Sequence, residues 1–145
     1  MEKTRCAVIS VGNKIKSDDD IANLVLEKLP ENPRMLKISG GINPENHIKT
    51  VKEFLPDVIF FMDALDSGDR PGNVKLLDIG QVKTLNPSTH NIPLDMFTGF
   101  FPESRILVIG IQPKSLDFGT GLSPELEKKF GNILEIIKAV ISKNR

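Results

Sequence analysis

The chain has 145 residues, 19 lysines and arginines against 19 aspartates and glutamates, and a formal charge of zero at neutral pH. A hydrophobic fraction of 39% and a charged fraction of 26% are ordinary globular values, which excludes wholesale disorder. The charge balance lacks the basic footprint of sequence-independent nucleic-acid binding, and a single cysteine, Cys6, excludes an internal disulfide or a multi-thiolate metal centre.

No run approaches the ~18–20 apolar residues of a membrane span, and the charged start Met1–Arg5 leads into a stretch too short for a signal peptide. A soluble cytoplasmic protein is expected. Trp and Tyr are absent, so base-stacking or carbohydrate-binding aromatic clefts are disfavoured. No repeat, low-complexity tract or linker divides the chain, which reads as a single domain over residues 1–145.

Cys6–Val11 is a β-rich run ending at Gly12-Asn13, which predicts a strand and a turn with Cys6 as a buried hydrophobe. Asp20–Leu29 carries a helical stripe (Ile21, Leu24, Val25, Leu29), with Asp18 or Asp19 available as a cap and Pro30 as a stop. Met35–Ile38 predicts a brief strand that meets Gly40-Gly41, and Pro44–Leu55 a second helix with His47 on its surface. Val58–Met62 is continuously apolar, the pattern of a strand buried on both faces, and it ends at Asp63. Asp66–Gly72 reads as a loop and Val74–Leu77 as a strand nearer an edge. Asp78–Asn91, with Pro87 inside it, reads as irregular, and Pro93–Phe101 as a short helix. Ile106–Ile111 is a second buried strand, followed by the Gly-rich stretch Gln112–Leu122. Ser123-Pro124-Glu125 then starts a long helix whose apolar face includes Leu126, Phe130, Ile133 and Ile137.

Strands alternating with helices predict an α/β fold: three αβα layers, with a twisted, mostly parallel central sheet flanked by helices. A hairpin-like step from Val58–Met62 to Val74–Leu77 would make the sheet mixed. Sites in such folds lie outside the carboxyl ends of the strands. There the chain offers Asp18, Asp19 and Asp20 after the first strand, Asp63 after the central one, and His90 in a later loop. Two carboxylates and an imidazole would make a small N/O metal site with open positions. Each residue also has a plain reading. Consecutive aspartates often open a helix, a loop histidine is usually just exposed, and Gly40-Gly41 could be a simple turn. Asp63 is the least innocent, because an unpaired carboxylate at the end of a buried strand is costly. The first turn has one glycine and three acids, so a phosphate-binding loop is not expected.

Several pieces, in order, carry a resemblance. They are Val11-Gly12-Asn13 with Ser17-Asp18-Asp19; Gly40-Gly41 with Pro44-Glu45-Asn46; Met62-Asp63-Ala64-Leu65-Asp66; Pro71-Gly72; Ser88-Thr89-His90-Asn91-Ile92-Pro93-Leu94; Gly110-Ile111-Gln112-Pro113; and Gly121-Leu122-Ser123-Pro124. On these the chain resembles the nickel–iron hydrogenase maturation endopeptidases, in the branch serving formate-hydrogenlyase or energy-converting hydrogenases. The resemblance implies an enzyme that removes the C-terminal extension of the hydrogenase large-subunit precursor. It implies Asp19, Asp63 and His90 as metal-binding and catalytic residues, and Gly40 and Gly41 as a substrate-recognition element. The metal implied is nickel, supplied by the precursor, with no tightly held resident ion. The partner is that precursor, with no nucleic acid or membrane span, and the enzyme is expected to be a monomer. Ser17 and Asp20 stand where the family has glycines, and Ser39 where it often has an acid.

Two other readings fit parts of the chain. One is a metal-binding maturation chaperone without catalysis. The other is a phosphoacceptor receiver-like domain using Asp18–Asp20, Asp63, Ser88-Thr89 and Lys114. Against the latter, Lys114 follows Pro113, whereas a receiver's lysine precedes its proline.

Overall fold

The apolar runs of the sequence become neighbouring strands of one five-stranded sheet. The structure, a computed structural model, describes residues 4–85 and 92–145. The strands are β1 (Cys6–Ser10), β2 (Met35–Ser39), β3 (Val58–Ala64), β4 (Val74–Asp78) and β5 (Arg105–Ile111), in spatial order β2-β1-β3-β5-β4. The first four in that order are parallel, and β4 runs antiparallel to β5. The sheet is thus mixed, although not through the step suggested by the sequence. β3 is paired on both sides, to β1 and β5, and β4 reaches the far side of β5. Gln112 guides that crossing: its amide donates to Asn73 O and its carbonyl accepts from Gly72 N, both at 2.8 Å.

Strand alternation divides the core in two. Cys6, Val8, Phe60 and Met62 pack with α1 (Ile21–Lys28) and α5 (Pro124–Asn144). Ala7, Ile9, Ile59 and Phe61 pack on the other face with α2 (Ile48–Phe54), α3 (Ile79–Leu85) and α4 (Leu94–Phe100). Phe97 of α4 meets Phe61 edge-to-face at 4.9 Å, a favoured aromatic geometry. Cys6 is fully buried, as its context predicts.

Short 3-10 turns, Ser17–Asp20 and Pro44–His47, precede α1 and α2, so each predicted helix begins later than its sequence pattern. His47 closes the second turn and is half-buried rather than on the surface. The larger departure is α3, which occupies a stretch read as irregular. Gln81 N donates to Asp78 Oδ1 at 2.8 Å and Asp78 N to Gln81 Oε1 at 2.9 Å. That reciprocal cap starts a helix, and Val82 buries its inner side. The rest of that stretch, residues 86–91, lies outside the described residues. α5 begins as predicted, with Ser123 Oγ accepting from Leu126 N at 3.3 Å. Among the described residues, no helix is long and apolar enough to cross a membrane.

Candidate active site

From β1 the chain first crosses outward to β2, then returns to the other side of β1 as β3. The reversal opens a crevice outside the carboxyl ends of β1 and β3, where ligands bind in folds of this kind. The turn after β1 brings Asp18, Asp19 and Asp20 there, and Asp63 is the penultimate residue of β3.

Hydrogen bonding gives the three consecutive acids separate tasks. Asp18 is fully buried and accepts four bonds: from Lys114 N (2.9 Å), Ser115 N (3.0 Å), Ser123 N (2.7 Å) and Ser123 Oγ (2.8 Å). It ties the first turn to the β5–α5 loop. Burial alone would raise its pKa, but the bonds from Ser123, Ser115 and Lys114 outweigh burial and hold the carboxyl below the usual aspartate value. Asp20 accepts from Asn23 Nδ2 at 2.8 Å. The same Asn23 donates to Gly12 O at 3.2 Å and accepts from Ser10 Oγ at 2.7 Å, locking α1 to the end of β1. Neither Asp18 nor Asp19 caps α1; its N-cap position is Asp20, without a side-chain cap bond.

Asp19 keeps one oxygen uncommitted among the described residues. Its Oδ2 accepts from Asn13 N at 2.7 Å, and its residue is 9% exposed. Gly12 makes this placement possible, because a Cβ there would lie 1.9 Å from the Asp19 carbonyl oxygen. Ser17 adopts φ +51°, the left-handed conformation that glycine takes without strain. Its amide donates to Gly119 O (2.9 Å) and its hydroxyl to Asp117 O (2.7 Å), so the turn keeps a glycine-like shape with serine in place. Asp20 is right-handed and needs no glycine.

Asp63 is 1% exposed, and neither carboxylate oxygen has a hydrogen-bond partner among the described residues. Burial pushes its pKa well above the ordinary aspartate value, and the charge of nearby Asp19 adds to the rise. A buried, unpartnered carboxylate beside a second carboxylate is a poor arrangement for stability and a good one for receiving a cation. By strand alternation Asp63 falls on the face covered by α2, α3 and α4. His90, the expected third member, lies between α3 and α4 in the chain and outside the described residues. Among the described residues no three metal-capable side chains converge; the pair brought together is Asp19 and Asp63.

Gly40 and Gly41 adjoin this edge in different ways. A Cβ on Gly40 would lie 2.5 Å from Ser10 O, so Gly40 serves the packing of β2 against β1. Gly41 has φ +56° and open space above it, and its carbonyl accepts from Gly12 N at 2.9 Å. The exposed Ser39 leaves the approach to the pair uncharged. Gln112 is the organiser that sequence reasoning left without a task. Its Oε1 accepts from Ser67 N (2.8 Å) and Asp69 N (3.2 Å), and its Nε2 donates to Asp66 Oδ1 (3.0 Å), shaping the loop after β3. The Lys114 ammonium lies 3.8 Å from Glu125, while its amide is bound to Asp18, which does not suit a receiver's lysine.

Comparison with known proteins adds to this geometry. Residues 21–140 match the family model for hydrogenase maturation protease. The chain is 31% identical over 116 residues to the Hydrogenase 3 maturation protease of Escherichia coli (strain K12), covering 77% of this chain and 74% of that protein. It is similar to the crystal structure of a [NiFe] hydrogenase maturation protease HycI from Thermococcus kodakarensis KOD1, with a TM-score of 0.81 and 27% identity over 97% of this chain and 94% of that one. The solution structure of an endopeptidase HycI from Escherichia coli gives a TM-score of 0.75 and 26% identity, over 90% and 87% of the two chains.

The two buried acids are expected to respond oppositely to neutralisation. Asp18 has a lowered folded-state pKa, so its contribution is full above the ordinary aspartate pKa and is lost as pH falls through the lowered value. Asp18→Asn turns a donor group towards donors and costs about 1–3 kcal/mol at pH 7, a difference that vanishes in strong acid. Asp63 has a raised folded-state pKa, so the wild type loses stability as pH rises from the ordinary aspartate pKa through the raised one. Asp63→Asn escapes that loss and is more stable at pH 7 by about 1 kcal/mol or more, with the gap closing in acid. Urea unfolding at several pH values measures both.

Proposed function

Because the chain belongs to the hydrogenase maturation protease family, we propose that it is the endopeptidase that removes the C-terminal extension of a nickel–iron hydrogenase large-subunit precursor after nickel insertion. In this reading Asp19, Asp63 and His90 meet the nickel that the precursor carries, and the reaction takes place in the cytoplasm. The observation that carries the reading is the buried carboxylate of Asp63, unpartnered among the described residues, beside Asp19.

Without a cation, two acids in this crevice repel each other, and Asp63 favours its proton. A divalent ion arriving within the precursor supplies the missing positive charge and favours ionised Asp63. An unloaded precursor supplies neither. The site therefore gains binding energy only from a precursor that holds its metal, which makes the acids a check on loading. Carboxylate and imidazole donors suit nickel. The ion is the substrate's cargo, and the enzyme holds no resident metal of its own.

Two carboxylates and one imidazole leave nickel positions open to the precursor's own ligands and to water. Docking then holds the scissile bond, just after the precursor's last metal-binding cysteine motif, beside a Lewis acid that polarises the attacking water. The nucleophile is that water. The only thiol, Cys6, is sealed inside β1, and among the described residues no Ser–His–Asp set accompanies the acids. Gly41, open and left-handed, lets the precursor's backbone come close.

The test is processing of a purified precursor, with and without nickel, followed by mass spectrometry of the C-terminal fragment. The expected result is release from the loaded precursor alone, slowed at least about a hundredfold in Asp63→Asn and in His90→Ala. Equal cleavage of nickel-free precursor, or unimpaired Asp63→Asn, overturns the assignment. Nickel-dependent complex formation without any fragment would instead favour a maturation chaperone.

A further inference from the structure

The acids are recessed: Asp63 is 1% and Asp19 9% exposed. An ion fixed inside a folded precursor reaches them only if the precursor's surface settles on the rim around them. That rim carries apolar groups the core does not use. Ile15, Leu116 and Phe118 are 53%, 39% and 81% exposed, and Ile42, after the glycine pair, is 61% exposed.

These groups sit on fastened loops. Lys16 and Gly119 form a parallel bridge. Gly119 N donates to Ile15 O and Ser17 N to Gly119 O, both at 2.9 Å, while Ser17 Oγ holds Asp117 O at 2.7 Å. The peptide groups on both sides of Phe118 are thereby bonded to the turn that carries Asp19, and Asp18 binds the start of the same loop through Lys114 N and Ser115 N. A phenyl ring held in water on an ordered backbone is costly for a free monomer and useful to an interface, where aromatic anchors that need no reordering dominate binding.

We propose that the paired loops 13–17 and 114–119 are the docking surface for the folded body of the large-subunit precursor, with Phe118 as its anchor; this rests on the proteolytic reading above. The body is favoured over the extended tail because the apolar groups are spread over three loops, whereas a tail covers one line. Lys14 and Lys16 accompany them, with Lys114 facing Glu125 at 3.8 Å and Asp117 the one acid within the two loops, so the precursor face fits best as an apolar patch edged with carboxylates.

The experiment is steady-state processing of nickel-loaded precursor by the full-length wild type, Phe118→Ser and Leu55→Asn. Leu55 is 75% exposed but lies at the amino end of β3, away from the rim. The expected result is a KM raised about tenfold in Phe118→Ser, at an unaltered melting temperature, and a KM unchanged in Leu55→Asn. Normal wild-type turnover with a Phe118→Ser KM within about twofold of wild type overturns the docking surface alone. A wild type that releases nothing overturns the proteolytic reading, and this surface with it. A wild-type dimer in sedimentation that Phe118→Ser dissociates gives the surface to a second copy and overturns the proposal.

Discussion

A carboxylate with neither oxygen partnered among the described residues is buried at the carboxyl end of the central strand, next to a second carboxylate. Left alone, such a group weakens the fold or keeps its proton. Everything around it maintains that condition. Asp63 pairs with Gly110 of β5, and Val11 N binds Met62 O just before it, so the backbone there is fixed. Gly12 allows the turn bearing Asp19 to close against β1. Asp18 spends its carboxylate on the β5–α5 loop, which keeps the turn and that loop together. The site is thereby unfavourable in the free protein, and the proposed reading supplies its complement with the substrate.

The adjacent acids Asp18 and Asp19 show how position decides chemistry. Both are buried, yet one is saturated with donors and held ionised, while the other accepts one bond among the described residues, from Asn13 N. The first fastens the loops and the second faces the crevice. The same fastening holds Phe118 out in solvent beside the turn that carries Asp19.

Much of this was legible in the sequence, for definite reasons. Short continuous apolar runs rich in β-branched and aromatic residues read as buried strands, which made β3 and β5 readable and drew attention to Asp63. Ser123-Pro124 announced α5 through its capping chemistry. Strand pairing was less legible, since nothing local in Val74–Asp78 states that its neighbour is β5. The helix Ile79–Leu85 was missed because Gly80 and Val82 weaken its propensity, although the reciprocal Asp78–Gln81 cap was there to find. The separate tasks of the three aspartates were out of reach for a physical reason. The groups that bind Asp18 lie 96 to 105 residues away, and no local pattern reports a contact at that distance. Ser17 looked like a break in a glycine turn, and only the bonds to Asp117 and Gly119 explain how serine keeps the shape.

In the proposed reading, Asp63 stays protonated above the usual aspartate range until a metal-bearing precursor arrives. The direct measurement is the carboxyl carbon-13 shift of Asp63 in labelled protein, followed through a pH titration of the free enzyme and of its mixture with nickel-loaded precursor carrying an uncleavable junction. The account predicts a midpoint well above the ordinary value of about 3.9 in the free enzyme, and ionisation at the same pH once loaded precursor is added. An ordinary midpoint in the free enzyme, or a shift indifferent to loaded precursor, would contradict it.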